Sequence, residues 1–418
     1  MAELYKLRNQ IKHYEWGSPD CIPRLLGVPG DGRPWAELWM GCHPGSPSMT
    51  SLPGSAAEAS LGQLIAENPR HYLGRQAAQK YDTLPFLFKL LAAEKPLSIQ
   101  AHPNLALARE GLDREHSAAL PLDAPSRNYK DANHKPELIA ALTPFTGMCG
   151  FREPGEIRRL LAEFVGPSAP ASLQDSLAPL DQALAANEAA TALQNFLAAL
   201  FGLSPAAREA LTEYILLIRE PPLPTPHSPF PIEWELVRQL ARLHPCDPAI
   251  ISPLYLNVFC LEPGEAIFLK AGTLHAYVHG FGVELMANSD NVLRGGLTGK
   301  HIDVPELMRA LDFNPSKPHI MKPESPCFTY PAPCEEFSLS VIRGQGDTAA
   351  FVESSFVESN FVAQGPAICI VTEGEAVFSG SGVDTVLRQG ESAFVPPGDG
   401  LTLRGNFTLY AAFCPGTP

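Results

Sequence analysis

The chain contains 418 residues, 45% of them hydrophobic, and carries a formal net charge of −14 at pH 7. This length predicts two or three domains with sizeable cores, and the acidic balance argues against nucleic acid as a partner. Its nine cysteines form no C-x-x-C pair, which favours free thiols in a reducing compartment. Because the sequence has no apolar leader segment and no stretch of membrane-spanning length, we expect a soluble, cytoplasmic protein with no membrane partner.

Residues 1–151 mix strand-like runs with helical and turn segments. Glu37–Met40 is one candidate strand, and a later apolar run leads into Gln100-Ala101-His102. Residues two apart on a strand point to the same face, so Gln100 and His102 should project together. Pro103 follows at once, which suits the end of a strand.

A second short segment of this region, residues 133–137, ends in a carboxylate. The residue before a proline is pushed to extended conformations, so Lys135 and Glu137, on either side of a proline, should share a face. Lys135 and His134 thereby become candidates for proton transfer beside Glu137. A lysine in this position also suits a phosphate clamp or a solvated surface charge.

Residues 152–248 differ in composition from the preceding region, because Ala and Leu dominate. They also contain recognisable signals for helix N-termini. Ser204 offers a capping hydroxyl before Pro205 at the first helical position, and a run of helical period follows. Ile232–Leu243 is another such run. We therefore expect a helical segment inserted into a β-rich protein.

Strand-like patterns return from residue 249, and a turn motif there ends in a histidine. The motif begins at Gly264, has the form G-x5-K-x-G-x2-H and ends at His275. It fits the second motif of the cupin β-barrels, except that lysine replaces a proline. The same glycines and a proline recur from Gly390 without the final histidine. An internal repeat of this kind predicts two related modules, of which only the first keeps a metal-binding side chain.

Together these patterns predict a mainly β fold with a helical insertion. The expected organisation is a discontinuous catalytic cupin barrel over 1–151 and 249–315, a helical insertion domain over 152–248, and a degenerate C-terminal cupin barrel over 316–418. Nothing in the sequence marks an oligomer interface, so a monomer fits the pattern.

Four of the residues introduced above form a candidate metal site. Gln100, His102, Glu137 and His275 supply one amide oxygen, two imidazoles and one carboxylate, a set that suits Zn²⁺ and leaves room for a substrate or water. A 2-His-1-carboxylate set also serves iron oxygenases, but Gln100 as a fourth protein ligand argues against oxygen chemistry, which needs open positions.

Several longer motifs occur in order along the chain. They are Trp35–Gly41, Pro85–Lys89, Ser98–Pro103, His134–Glu137, Ala271–Tyr277 and Asn288–Thr298. With these motifs the chain resembles the type I mannose-6-phosphate isomerases, zinc enzymes of the cupin superfamily, over nearly its whole length. The resemblance implies two cupin-type (jelly-roll) β-barrel modules plus an α-helical domain.

The resemblance also implies a ligand set and a reaction. Gln100, His102, Glu137 and His275 would hold one Zn²⁺ per chain, and Arg294 would be catalytic. The implied reaction interconverts mannose 6-phosphate and fructose 6-phosphate through an enediol, which feeds mannose into GDP-mannose and glycosylation pathways. Zn²⁺ would act as a Lewis acid on the carbonyl oxygen, and the guanidinium would stabilise the charge that develops there. Without the motif, Arg294 would suit a surface salt bridge equally well.

The general base is left open among four residues. Lys135 is the first choice, because a lysine beside Zn²⁺ and Arg294 would have its ammonium form disfavoured. His134, Glu284 and Asp290 are the alternatives, and Glu284 could instead orient a ligand histidine.

The sugar phosphate needs further contacts. Lys300, Lys89 and Ser98 are candidates for the phosphate, with His134 as a further substrate-binding candidate. Trp16, Glu37 and Tyr277 belong to the family motifs, and each suits either a sugar contact or packing. The remaining histidines, among them His43 and His244, are interpreted as surface or packing residues.

A second function class fits the same scaffold, because cupins host many functions. A non-enzymatic cupin that senses sugar phosphates would bind the same ligand without catalysing a reaction. Such a sensor would need neither Arg294 beside the metal nor a base, and binding without isomerase activity would support it.

Overall fold

The computed structural model describes residues 4–51, 57–166, 169–217, 231–345, 350–351, 365–380, 383–398 and 401–415. Its strands are β1 (Tyr5–Leu7), β2 (Gln10–Lys12), β3 (Glu37–Met40), β4 (Met49–Ser51), β5 (Glu58–Ser60), β6 (Phe86–Ala93), β7 (Ile99–Ala101), β8 (Glu137–Ala141), β9 (Phe145–Phe151), β10 (Leu256–Leu261), β11 (Ala266–Leu269), β12 (His275–Ala287), β13 (Leu293–Gly296), β14 (Ile320–Met321), β15 (Cys327–Tyr330), β16 (Ser338–Gly344), β17 (Ala350–Phe351), β18 (Ala367–Gly380), β19 (Val383–Arg388), β20 (Ser392–Val395), β21 (Thr402–Arg404) and β22 (Phe407–Phe413).

The helices lie between and beside these strands. They are α1 (Cys21–Leu26), α2 (Leu61–Glu67), α3 (Pro69–Lys80), α4 (Leu105–Ser117), α5 (Pro154–Val165), α6 (Ala171–Ala183), α7 (Ala189–Phe201), α8 (Pro205–Leu217), α9 (Pro231–Leu243), α10 (Ser252–Tyr255) and α11 (Val304–Ala310), with a 3-10 turn at Pro248–Ile251. None of the helices in the described ranges is long and apolar enough to cross a membrane.

An antiparallel sheet of eleven strands carries the candidate site. Its main order is β14-β11-β8-β12-β6-β3-β2, with β7, β9, β10 and β13 joined at the other end of β12. The long strand β12 therefore changes partners along its length. The pairing is irregular between Tyr277 and His279, and Gly280 has a φ of +131° with no room for a Cβ against Phe145. Glycine tolerates this backbone, so the strand bends here and its two halves enclose a space.

The second large sheet is built mostly from C-terminal residues. Its main order is β1-β20-β18-β22-β16-β15. Strand β1 comes from the start of the chain and pairs with β20, with Tyr5 opposite Phe394. Apolar residues of both large sheets, such as Leu90 and Ile370, share one buried cluster, so the two sheets pack against each other through a common core.

The predicted helical segment is present as α5 to α9. Ser204 caps α8 as the sequence indicated, since the Ala207 N–H donates to its hydroxyl at 3.2 Å, and α9 ends at Leu243. The apolar faces of these helices join a cluster that also contains Ile99 and Leu293. The helical region therefore packs directly on strands β7 and β13.

The fold differs from the prediction in its class. Helices and strands account for about equal shares of the chain, because α1 to α4 and α11 add to the helical segment, so the protein is mixed α/β and not mainly β. Within the described ranges neither strand order closes into a barrel. None of the nine cysteines, all of which the structure describes, forms a disulfide, in line with the expected free thiols.

Candidate metal centre and active site

Three buried side chains meet between the two halves of β12. His102 follows β7, Glu137 begins β8 and His275 begins β12, and each is at most 2% exposed. The His102 Nε2 lies 3.3 Å from Glu137 Oε1, and the His275 Nε2 lies 3.2 Å from Glu137 Oε2. Glu137 pairs with Met286 at the far end of β12 and with Leu269 of β11, so β12 must curve back for Glu137 to reach His275.

Hydrogen bonds to the backbone fix both imidazoles. The His102 Nδ1 lies 2.7 Å from the Asn291 carbonyl oxygen, and the His275 Nδ1 lies 2.8 Å from the Thr273 carbonyl oxygen. A carbonyl oxygen only accepts, so each Nδ1 donates and each Nε2 is left to face Glu137. These two Nε2 atoms and Glu137 Oε2 are buried without a hydrogen-bond partner in the described structure, which buried polar atoms rarely are.

The cluster fits a zinc ion. A tetrahedral Zn²⁺ with bonds of about 2.0–2.1 Å sets its ligand atoms roughly 3.3 Å apart, close to the separations found here, and the three residues can hold a metal together. Burial, reinforced by the Lys135 charge, lowers the pKa of His102 to about 4. Burial alone would raise the pKa of Glu137, but Lys135 and the imidazoles hold it well below its usual value. Both residues are therefore in the states that bind metal.

A cavity of about 520 Å³ opens beside the cluster. Glu137 and Gln100 lie in its wall, and Gln100 pairs with both His275 and Arg294 in the sheet. Arg294 is half-buried, and burial lowers the pKa of its guanidinium. No carboxylate or other acceptor among the described residues pairs with Arg294, so a cation faces the cavity beside the buried cluster.

Another part of the wall of the same cavity contains a buried network of charged side chains. The Lys89 Nζ lies 2.9 Å from Glu284 Oε2 and 3.7 Å from Glu37 Oε1, and the Trp39 indole N–H donates to Glu37 at 2.7 Å. Burial would lower the pKa of Lys89, but the two carboxylates outweigh it and raise that pKa above its usual value. The same setting raises the pKa of the Tyr277 hydroxyl, through burial and then the Glu284 charge.

Comparison with protein-family sequence models matches residues 4–154 to the family "Phosphomannose isomerase type I, catalytic domain". The mannose-6-phosphate isomerase of Salmonella typhimurium is 37% identical over 94% of each chain. The chain belongs to the type I phosphomannose isomerases. The human mannose-6-phosphate isomerase is 37% identical over 75% of this chain and 74% of its own. A crystal structure of a zinc-bound mannose 6-phosphate isomerase superposes with a TM-score of 0.85, at 35% identity, and covers 98% of this chain and 99% of that one.

Most of the site residues expected from the sequence lie together. The cavity wall contains Trp16, Glu37, Lys89, Ser98, Gln100, Lys135, Glu137, Tyr277, Glu284, Arg294 and Lys300. His102 and His275 lie behind Glu137. Lys135 and Glu137 share a face as expected, with the Lys135 Nζ 2.9 Å from Glu137 Oε1.

Two expected residues do not join the wall. The His134 Nε2 lies 2.8 Å from Glu336 Oε1, so this imidazole faces the C-terminal part of the chain. Asp290 lies near the surface with its carboxylate 3.3 Å from the His43 Nε2, and this hydrogen bond holds the pKa of Asp290 below its usual value. Both side chains are already engaged away from the space where a substrate would lie.

The cavity also contains residues that the sequence did not single out. Tyr14, Lys95, His244 and Thr298 line it, whereas the sequence predicts a surface or packing role for His244. Thr298 ends the Asn288–Thr298 motif and Lys95 lies three residues before the Ser98–Pro103 motif, which is a usable signal. Nothing local marks His244, because it follows a helix whose pattern shows only packing.

Replacing Lys89 with methionine should destabilise the fold by about 3–5 kcal/mol, because it leaves buried carboxylates without a counter-charge. Burial raises the pKa of Glu284, so without Lys89 the folded variant should bind more protons than the unfolded chain. Its stability should therefore fall as pH rises above the ordinary glutamate pKa of about 4.3. Urea unfolding at several pH values checks this, with Lys6→Met, which loses only an exposed pair with Glu391, as the control. Equal stability of the two variants would contradict it.

Proposed function

We propose that this chain is a zinc-dependent aldose–ketose isomerase that interconverts mannose 6-phosphate and fructose 6-phosphate through an enediol intermediate. The observation that carries the proposal is a buried cluster of three metal-binding side chains with unmatched lone pairs, beside an unpaired arginine in a cavity of about 520 Å³. Family membership supports it, since the relatives at more than 90% coverage are named mannose-6-phosphate isomerases.

We propose Gln100, His102, Glu137 and His275 as the ligands of one Zn²⁺. The fit of the last three is described above, and the strand register sets Gln100 directly opposite His275. When bound, Zn²⁺ supplies a Lewis acid that polarises the sugar carbonyl oxygen. Gln100 and Glu137 face the cavity, so the substrate would approach the metal from their side.

Arg294 is proposed to stabilise the negative charge that grows on that oxygen. It has no carboxylate partner to neutralise it in the described structure, and the partly buried setting strengthens its electrostatic effect. Strand β13 holds it through the Arg294–Gln100 pairing. The guanidinium therefore lies next to the proposed metal site before the substrate arrives, so little reorganisation is needed in the transition state.

Lys135 is proposed to move the proton between C1 and C2. Of the four base candidates, His134 and Asp290 are engaged outside the cavity, and Glu284 is held by Lys89 at 2.9 Å. Lys135 faces the cavity with its amine beside a proposed metal ligand. Glu284 and Glu37 are instead proposed to fix Lys89, which makes Lys89 a structural cation and not a phosphate clamp.

In protein that is folded and zinc-loaded, Lys135→Met should lower kcat by about a hundredfold, because general base catalysis contributes at least this much. Loss of the proton carrier should also slow exchange of the substrate C2 hydrogen with D₂O, which NMR can follow. Lys130→Met, which changes an exposed lysine nearby, is the control. Unchanged exchange in Lys135→Met would remove Lys135 as the base.

The substrate phosphate is proposed to bind Lys300, with Ser98 nearby in the same wall. The structure shows no partner for the Lys300 ammonium among the described residues, and it is exposed at the cavity margin. Trp16 and Tyr277 offer ring faces and edges to the sugar. This arrangement separates a reacting end at the metal cluster from an anchoring end at Lys300.

The domain organisation is proposed as well. A catalytic cupin-type (jelly-roll) module over 1–151 and 249–315, a helical domain over 152–248 and a degenerate cupin-type module over 316–418 are supported by the repeated turn. Gly264 and Gly390 both have positive φ, of +91° and +84°, just before strands β11 and β20. We also propose a cytoplasmic location and action as a single chain on a small sugar phosphate.

A coupled assay of fructose 6-phosphate formed from mannose 6-phosphate tests the proposal on purified, zinc-loaded protein. Isomerase turnover is expected. Folded, zinc-loaded protein that gives no turnover would overturn the enzyme assignment. Titration calorimetry with mannose 6-phosphate would then separate a sugar-phosphate sensor, which binds, from a protein that does neither.

A further inference from the structure

The helical region reaches the substrate cavity at one point. Leu243, the last residue of α9, and His244 lie in the cavity wall together with Thr298 and Lys300. His244 is half-buried, and its imidazole has no hydrogen-bond partner within the described ranges. Burial lowers its pKa, so the ring is neutral near pH 7 and offers one donor and one acceptor to the cavity.

Asp247, three residues further on, ties this point to the opposite segment. Its Oδ2 accepts the Leu297 N–H at 2.7 Å, and its Oδ1 accepts the Ala249 N–H at 2.9 Å at the start of the 3-10 turn. One carboxylate thus caps a short helix and holds the turn formed by residues Leu297–Lys300. Hydrogen bonds to a charged acceptor are stronger than neutral ones.

The backbone on both sides of this contact is strained. Cys246 and Leu297 have φ values of +63° and +55°, and they are two of the three non-glycine residues with positive φ in the described structure. The Cys246 N–H donates to the Thr212 hydroxyl of α8 at 3.0 Å, which fixes one side, and Asp247 fixes the other. Strained residues persist where the surroundings hold them and are concentrated at functional sites.

Arg294 is anchored in a different way. It lies in β13, where the pairs with Gln100 and with other β7 residues hold its backbone. Gly296, at the end of β13, packs so closely on Ala249 that a Cβ would come within 2.3 Å of it. The sheet therefore places Arg294, whereas Asp247 places the Leu297–Lys300 turn that follows.

We propose that Asp247 is a positioning residue for the phosphate end of the substrate, and that His244 contacts the phosphate beside Lys300. The proposal rests on the isomerase function proposed above and deepens it. The helical region then supplies part of the anchoring end of the cavity, through His244 directly and through the Asp247 bond to the Leu297–Lys300 turn. The expected signature is a change in substrate affinity with little change in the chemical step.

Asp247→Asn keeps the side-chain shape but exchanges one acceptor for a donor, which cannot pair with an N–H. We expect KM for mannose 6-phosphate and the inhibition constant of inorganic phosphate both to rise about tenfold, with kcat changed less than threefold. His244→Ala should raise the same two constants. The matched control is Asp303→Asn, because Asp303 also caps a helix, at Glu306, and bonds a second segment through Asn128, but does not contact the Leu297–Lys300 turn.

Phosphate binding by titration calorimetry on the zinc-loaded proteins separates this proposal from the isomerase function. A wild-type protein that binds phosphate but shows no turnover would defeat the isomerase function, while weaker phosphate binding by Asp247→Asn would still support the positioning role. The positioning role is overturned if Asp247→Asn, with a wild-type melting temperature, binds phosphate as wild type does. It is also overturned if Asp303→Asn weakens binding equally.

Discussion

Removing the metal with a chelator is expected to lower isomerase activity by at least about a thousandfold, and added zinc should restore it. Lewis-acid stabilisation of the developing oxyanion is worth several kcal/mol, and each 1.4 kcal/mol or so is a factor of ten in rate. The Nε2 atoms of His102 and His275 and the Oε2 of Glu137 are buried without a hydrogen-bond partner in the described structure. These three atoms have lone pairs for a metal ion and no proton to offer a developing oxyanion, so they cannot replace the ion once it is removed.

Thermal unfolding gives a readout that does not depend on turnover. Zinc that binds the folded state raises its stability, so the melting temperature of the wild-type protein should rise with added zinc and that of His102→Ala should rise far less. His319→Ala, which changes an exposed histidine, should behave as wild type. Full activity in chelated protein with no metal by mass spectrometry would contradict the zinc assignment.

Much of the candidate metal site could be predicted because its residues lie in short motifs. Gln100 and His102 alternate on and just after a strand and Glu137 begins one, so local rules about strands and prolines indicate them. His275 ends a recognisable turn motif. What brings the three buried ligands together is the bend of β12 near Gly280. No local pattern in the sequence gives the angle of that bend.

Lys89 shows the limit of predictions that use only the neighbouring sequence. Its position on a strand that enters the site made it a reasonable phosphate candidate. The structure places it in the cavity wall and surrounds it with Glu37 and Glu284, which come from the two neighbouring strands β3 and β12. Pairing with residues this far away in sequence depends on strand order, and the same long-range packing brings His244 into the cavity from the helical region.

The class of fold was misjudged for a related reason. The repeat beginning at Gly264 and Gly390 drew attention to strands, while the helices that flank the sheets have short or weakly amphipathic sequences. Helix α1, for example, has only six residues. Strand β1 was not expected in the C-terminal sheet either, because edge pairing with β20 has no signature in a three-residue segment.

Arg294→Ala is expected to lower kcat by about 10²–10³, the loss typical of removing one donor to a developing oxyanion. The effect should fall mainly on kcat, because the charge it stabilises appears in the transition state. Zinc content and the free energy of unfolding should stay near wild type. Arg294 pairs with no carboxylate in the described structure, so its removal leaves no buried charge without a counter-ion.

Arg294→Lys separates charge from geometry. It keeps a cation but lacks the planar fork of donors, so it should recover part of the lost kcat and remain well below wild type. Steady-state kinetics on zinc-loaded protein, with metal content measured for each variant, decides the question. If Arg294→Ala kept wild-type kcat but raised KM, the guanidinium would bind the phosphate and the oxyanion would depend on the metal alone. A fall in kcat with little change in KM instead assigns Arg294 to the transition state, since only a group that binds more strongly there changes the chemical step.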